Sequence, residues 1–224
     1  MITAFGRAMM ATINGQPQTT FRMTMEGGQS IEFPCIDFVQ RRPDEDELLE
    51  QIRLPKDGVV VDWGCGIGRH LLKVRQLNPS VYCYGIEICD LMVDHCRRTI
   101  APPAFFVQNF DNLAHCQLDL ALLMGNGLGV LGEEKDAVKG LQMLVSSLAP
   151  GGRILIETGN PFGYGYFTPR FTIEYKEYRD GPFVWGYSDR DWLKGTLESL
   201  GCTVKFKKSK APGGMFFFAI AQKD

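Results

Sequence analysis

The sequence predicts an α/β protein built on a largely parallel sheet, and three observations carry that expectation. From residue 58 onward, short β-branched or apolar runs alternate with helical patterns, as stacked βα units require. The buried run Val59-Val60-Val61-Asp62-Trp63 passes into alternating glycines and then a helical stretch, a backbone that turns sharply beneath something held close. Ten of the chain's 25 aromatic residues fall between 160 and 187, a density that must bury against a partner surface.

Each element has a local cause. Strands are expected at 58–63, 81–88, 104–108, 118–124 and 153–158, with helices at 69–77, 90–99 and 133–148 between them. In the last of these, Ala137, Leu141, Leu144, Val145 and Leu148 recur at helical spacing until Pro150-Gly151-Gly152 forbids continuation. A further helix, 188–200, opens on the capping pattern Ser188-Asp189-Arg190-Asp191 and stops at Gly201. Strands 202–207 and 215–222 close the chain across a Pro212-Gly213-Gly214 turn. Before residue 58 there is little periodicity until 44–52, where Leu48, Leu49 and Ile52 follow Pro43 and an acidic first turn. Residues 1–57 are therefore expected to form a cap over the sheet edge or the ligand, and 58–224 the main domain.

Composition narrows the function. The 224 residues carry 24 Lys and Arg against 26 Asp and Glu, so a net charge of −2 gives no general pull toward nucleic acid or anionic membrane. The run Lys205-Phe206-Lys207-Lys208-Ser209-Lys210 fits an edge strand guarded by lysines better than a nucleic-acid patch. No two of the seven cysteines stand at Cys-x-x-Cys spacing, so no metal site is expected, and free buried thiols fit a reducing cytoplasm. The first 14 residues lack the apolar core of a secretory signal, and the longest apolar stretch, 118–131, is broken by Asp119, Asn126 and three glycines.

The glycine turn, Asp62-Trp63-Gly64-Cys65-Gly66-Ile67-Gly68-Arg69, is not a Gly-x-Gly-x-x-Gly dinucleotide fingerprint in either register, because Arg69 or Leu71 takes the third glycine's place. Nor does it hold the lysine of a phosphate-binding Walker turn. Asp62, directly before the turn, would be awkward beside a pyrophosphate and favourable beside a cation. Glu87 follows 19 residues after Gly68 at the end of the next strand, where its two oxygens can accept both hydroxyls of a ribose. An adenosine that carries positive charge satisfies both.

On these residues, over roughly 59–224, the chain resembles the class I S-adenosylmethionine-dependent methyltransferases. The resemblance implies a Rossmann-like doubly wound sheet of seven strands, order 3-2-1-4-5-7-6, with strand 7 antiparallel. It implies that Gly64, Cys65, Gly66 and Gly68 form the cofactor turn, that Asp62 holds the methionine end, that Glu87 binds the ribose, and that Ile88 lies against the adenine. In Gln108-Asn109-Phe110-Asp111 either Asn109 or Asp111 could meet the adenine amine, and Met124 and Asn126 line the methyl-transfer cleft. Cys65 also suits a buried small filler.

The aromatic insertion leaves the end of the fifth strand, where open α/β sheets bind ligands, and so provides the natural acceptor wall. Phe171, Ile173 and Tyr175 alternate with Thr172, Glu174 and Lys176, which predicts a β-hairpin turning at Arg179-Asp180-Gly181 with the aromatic face inward. Aromatic faces attract cations by about 0.5–2 kcal/mol each. A hydrophobic lid or a homodimer surface is the plainer use of the same residues. Tyr164, Tyr166 and Tyr175 are the candidate orienting hydroxyls or weak bases, with Asn126 in the cleft, while His70, His95 and His115 are assigned no catalytic part. In-line displacement at a sulfonium needs chiefly alignment and exclusion of water. The expected activity is methyl transfer to a small molecule, such as an amine, an amino-acid derivative or a secondary metabolite, since the cap and hairpin are too small for macromolecular recognition. The alternatives are internal cyclisation of the sulfonium ligand, releasing methylthioadenosine, and a catalytically silent binding module.

Overall fold

Small residues build the first element, which is why the helical pattern there is faint in the sequence. In the computed structural model, which describes residues 1–102, 104–107, 117–211 and 214–224, helix α1 (Ala4–Ile13) buries Ala4, Gly6, Ala8, Met9 and Thr12. The Thr3 hydroxyl caps it, accepting from Gly6 N at 2.9 Å. Strands β1 (Thr20–Met25) and β2 (Ser30–Pro34), one turn α2 (Ile36–Val39) and helix α3 (Pro43–Glu50) complete the N-terminal segment. Of these only α3 is legible beforehand.

The sheet units follow in the expected alternation. They are β3 (Val59–Trp63), α4 (Arg69–Leu77), β4 (Tyr82–Ile86), α5 (Asp90–Thr99), β5 (Ala104–Val107), β6 (Leu118–Leu123), a 3-10 helix (Gly127–Leu131), α6 (Glu134–Ser147) and β7 (Leu148–Thr158). The insertion supplies β8 (Tyr166–Phe167), β9 (Arg170–Tyr175), β10 (Tyr178–Val184) and β11 (Tyr187–Ser188), and α7 (Arg190–Ser199), β12 (Cys202–Lys208) and β13 (Phe217–Lys223) end the chain. Seven strands align in the order β12-β13-β7-β6-β3-β4-β5, with β13 antiparallel to both neighbours. This is the sheet that the resemblance implies. No helix among the described residues is long and apolar enough to cross a membrane.

Alternation along the strands makes the sheet doubly wound. Val60, Leu120, Leu122, Leu155 and Phe218 pack against Leu48 and Leu49 of α3, Leu71 and Val74 of α4 and Val93 of α5. Their neighbours Val61, Ala121, Leu123, Ile154, Ile156 and Ala219 pack on the other face, against Leu141 and Leu144 of α6 and Leu193 and Leu197 of α7. Successive residues point to opposite faces, so strands buried on both sides read as unbroken apolar runs. Each fully buried Leu contributes about 1.5–3 kcal/mol. Edge strand β12 carries exposed Lys205, Lys207 and Lys208.

Four local expectations need correction. Strand β7 begins at Leu148, ahead of Pro150-Gly151-Gly152, and α6 has already ended at Ser147. The cap of α7 is Asp189, whose side chain accepts from Trp192 N at 2.8 Å, while Ser188 is fully buried. The insertion hairpin turns at Lys176-Glu177, with Lys176 in the left-handed region at φ 53°, and the predicted turn at 179–181 is a bulge in β10. Thr172, expected on the outer face, is buried. Residues 212 and 213 of the predicted terminal turn lie outside the described residues.

The hairpin does not stand alone. Strands β9 and β10 join β1 and β2 in one sheet, order β10-β9-β1-β2, through antiparallel pairs such as Arg22 with Glu174. Asp180 in the bulge accepts from the backbone N–H of Ala4 and Phe5 and so satisfies two orphan donors at the start of α1. The cluster beneath this sheet includes Met9, Phe21, Cys35, Tyr175, Cys89 and Met92, with Ile67 of the glycine turn packed against it. The N-terminal segment and the insertion thus form one layer resting on the turn.

Candidate active site

The three alternating glycines do different work. Gly64, Gly66 and Gly68 all have left-handed φ, at 74°, 56° and 75°. A Cβ on Gly68 would lie 2.5 Å from Ile100 Cδ1 and 3.0 Å from Cys96 Sγ, so that glycine lets α4 approach α5. A Cβ on Gly66 would meet nothing within 4 Å, so this glycine faces open space beside the turn. Cys65 is buried beneath the turn against Cys96, a filler rather than a cleft group, and burial with that thiol neighbour pushes its own thiol well up.

Two carboxylates lie close to the turn. Glu87 follows the end of β4, and its oxygens accept from Gly66 N at 3.0 Å and Cys89 N at 2.8 Å. Each oxygen keeps further acceptor capacity toward a ligand hydroxyl. Burial raises the Glu87 carboxyl above the usual carboxylate range, with the backbone donors pulling against it. Asp62 in β3 is buried, and its Oδ2 has no hydrogen-bond partner among the described residues. An orphaned buried carboxylate oxygen is costly unless something with a proton or a positive charge meets it. Ile88 is 56% exposed beside Glu87, where a flat ring could cover it.

The N-terminal segment reaches this site through charges that sequence reasoning passed over. Glu45 of α3 is fully buried, accepting from Arg42 N at 2.7 Å and Arg69 Nη2 at 2.9 Å, with His70 Nε2 at 3.4 Å. Burial alone would raise its pKa; His70, Arg69 and Arg42 outweigh that and hold it at about 2. His70 stands between Glu45 and Asp62, with Nδ1 3.8 Å from Asp62 Oδ2. Arg42 pairs with Glu157 at the end of β7, which also accepts from Ser209 Oγ at 2.6 Å and Gly125 N at 3.0 Å. Arg69 donates to the carbonyls of Asp37 and Gln40, fixing the end of α2 to the start of α4. The readable signal was the Pro43-Asp44-Glu45 helix start; that Glu45 turns inward is set by tertiary packing.

Residues 60–152 match the family model described as a methyltransferase domain. Over these residues the chain is similar to methyltransferase domains. No curated protein matches its sequence. Among solved structures, a SAM-dependent methyltransferase from Bacteroides fragilis, in complex with S-adenosyl-L-homocysteine, is similar over 97% of this chain and 93% of its own, at 21% identity and TM-score 0.75. The 1,6-didemethyltoxoflavin-N1-methyltransferase of Burkholderia thailandensis is 16% identical over 81% of this chain and 77% of its own, TM-score 0.59. A sugar N-methyltransferase from Streptoalloteichus is 14% identical over 81% and 88%, TM-score 0.56. At these identities the likeness is one of fold.

After β6 the chain turns at Gly125-Asn126. Asn126 adopts φ 59°, accepts from Thr158 Oγ1 at 2.9 Å and donates through Nδ2 to Gly186 O at 3.5 Å. It is thereby buried between β7 and the insertion. Met124 packs into the core beneath the sheet. The three candidate tyrosines do not converge. Tyr164 is 97% exposed, and Tyr175 lies in the cluster under α1. Tyr166 donates to Gly132 O at 3.0 Å, and burial, with Glu134, Glu133 and Asp136 nearby, pushes its phenol well above the usual range. Trp185 rests against Gly129, where a Cβ would collide with the indole, and Gly186 N donates to Gly129 O at 3.2 Å. The insertion is so anchored on the 3-10 helix. Asn109, Phe110, Asp111 and His115 lie outside the described residues.

Proposed function

We propose that the protein is an S-adenosylmethionine-dependent methyltransferase acting on a small molecule. The observation that carries the cofactor is the open face at Gly66 beside Glu87, fixed by two backbone donors, with the buried, orphaned Asp62 at the end of the neighbouring strand. Those residues fit an adenosine with a cationic amino-acid tail: Glu87 accepts from ribose hydroxyls, Asp62 receives the ammonium, and the glycine turn admits the ligand's close approach. The cofactor, when bound, supplies an electrophilic methyl group on sulfur. The chain's own part is then to align and to exclude water, for which the layer over the turn is suited.

The small-molecule acceptor is supported by size and by the rim. Phe162 and Phe167 meet at a tilt with ring centroids 4.6 Å apart and stay exposed, with Tyr187 edge-on to Phe162 at 5.7 Å. These flat apolar faces suit an amine or ring-bearing acceptor. The test is to incubate the protein with S-adenosylmethionine, with and without a metabolite extract, and to identify the nucleoside product by mass spectrometry. Adenosylhomocysteine that forms only with extract supports methyl transfer to a diffusible acceptor. Methylthioadenosine formed without extract would replace it with internal cyclisation, and binding without any product would leave a silent module.

A further inference from the structure

A chain of charges ends at Asp62, and buried ion pairs are weak evidence of stability in themselves, since well-packed hydrophobic residues often do as well. It runs from Arg42 through Glu45 to His70 and on to Asp62. His70 is the one link that changes charge near neutrality. The charged groups that face it are Asp62 on β3, Glu45 on α3 and Arg69 beside it on α4, two carboxylates against one cation. Two buried atoms in this line, Asp62 Oδ2 and His70 Nε2, lack a hydrogen-bond partner among the described residues, so the contacts are near but unclosed.

Resting on the cofactor assignment above, we propose that Glu45 and His70 are positioning residues for Asp62, and that cofactor binding is linked to release of the His70 proton. Protonated His70 spans Glu45 and Asp62 and compensates the carboxylate. A ligand ammonium arriving at Asp62 brings the same compensation, and the two cations then repel across one carboxylate. The imidazolium gives its Nε2 proton to the solvent, Glu45 keeps Arg42 N and Arg69 as its donors, and neutral His70 retains the Nδ1–H that faces and orients Asp62. Burial alone would keep His70 neutral, but the two carboxylates outweigh it and raise its pKa above the ordinary histidine value. The two facing carboxylates thus favour the protonated form before a ligand arrives. Glu45, on the N-terminal segment, sets where that release falls.

The test is calorimetric titration with S-adenosylhomocysteine from pH 6 to 9 at constant ionic strength, on the wild type, His70→Gln, Glu45→Gln and Glu87→Ala, each checked for folding by thermal melting. In the wild type the affinity is expected to weaken as pH falls below a break, by up to about tenfold per pH unit. Glu45→Gln removes one carboxylate from His70, so the break moves to lower pH. His70→Gln loses it and retains only the titration of the ligand's own amino group, which is common to all. A flat wild-type profile, or one break shared by the wild type and both variants, overturns the linkage. If those profiles coincide while Glu87→Ala still weakens binding, the linkage alone fails. If the wild type does not bind the probe at all, the cofactor assignment falls and this proposal with it. Should Glu45→Gln fail to fold, His70→Gln decides the matter.

Discussion

Replacing Gly66 and Gly68 separately by Ala should divide stability from binding within one turn. Both residues have left-handed φ, which costs an alanine about 1–2 kcal/mol. At Gly68 the new Cβ also lies 2.5 Å from Ile100 Cδ1 and 3.0 Å from Cys96 Sγ, overpacking that costs about 1–3 kcal/mol more. Gly68→Ala should therefore lose about 2–5 kcal/mol of folding stability, a large part of the 5–15 kcal/mol typical of a native protein. Gly66→Ala meets nothing within 4 Å and should lose only the backbone cost. Its methyl, however, projects into the space assigned to the cofactor, and S-adenosylhomocysteine affinity should fall at least about tenfold, or 1.4 kcal/mol. Urea denaturation gives the first quantity and calorimetric titration the second. Equal destabilisation by the two variants, with Gly66→Ala binding as the wild type does, would refute the division.

Two further outcomes are expected. Asp180→Ala removes the acceptor for Ala4 N and Phe5 N and should cost about 0.5–2 kcal/mol; hydrogen exchange should rise in α1 before it rises in α4, and unchanged protection of α1 would count against the cap. Glu45, held at about 2 against an ordinary value near 4.5, contributes stability that is fully present above about pH 4.5 and is lost as pH falls toward 2. Acid denaturation of Glu45→Gln should accordingly be shallower through that window than in the wild type, and identical slopes would remove Glu45 from the account.

What was legible in the sequence was what repeats locally. Val59-Val60-Val61 and Leu120–Leu123 are buried on both faces of a sheet, so their apolar runs name them as strands, and the glycine turn marks where the backbone must bend. Asp62 and Glu87, the two carboxylates of the proposed site, stand out in the sequence because both sit at strand ends whose positions that pattern fixes. Helix α1 was hidden because Ala4, Gly6 and Ala8 bury little apolar surface and owe their burial to Cys89 and Tyr175, far along the chain. Glu45, Arg42 and Glu157 were hidden for a related reason. An acidic helix start normally faces water, and only the meeting of α3 with β7 turns these charges inward. Lys176-Glu177 lacks the usual turn glycine, so the bulge at Asp180-Gly181 drew the prediction away from the true reversal.

The pairing of Arg22 with Glu174 has a consequence in time. At the usual rate of synthesis, roughly 5–20 residues per second, β1 emerges roughly 7–30 s before β9 can join it. Until then β1 and β2 form only an isolated hairpin, which is marginal in water, and α1 lacks the Asp180 acceptor for its first N–H groups. The parallel strands β3 to β7 can pair in the meantime, because all of them precede the insertion. The ribosome thus delivers a nucleotide cradle first and its roof last, and a newborn chain can meet its nucleoside before the chamber around it is closed.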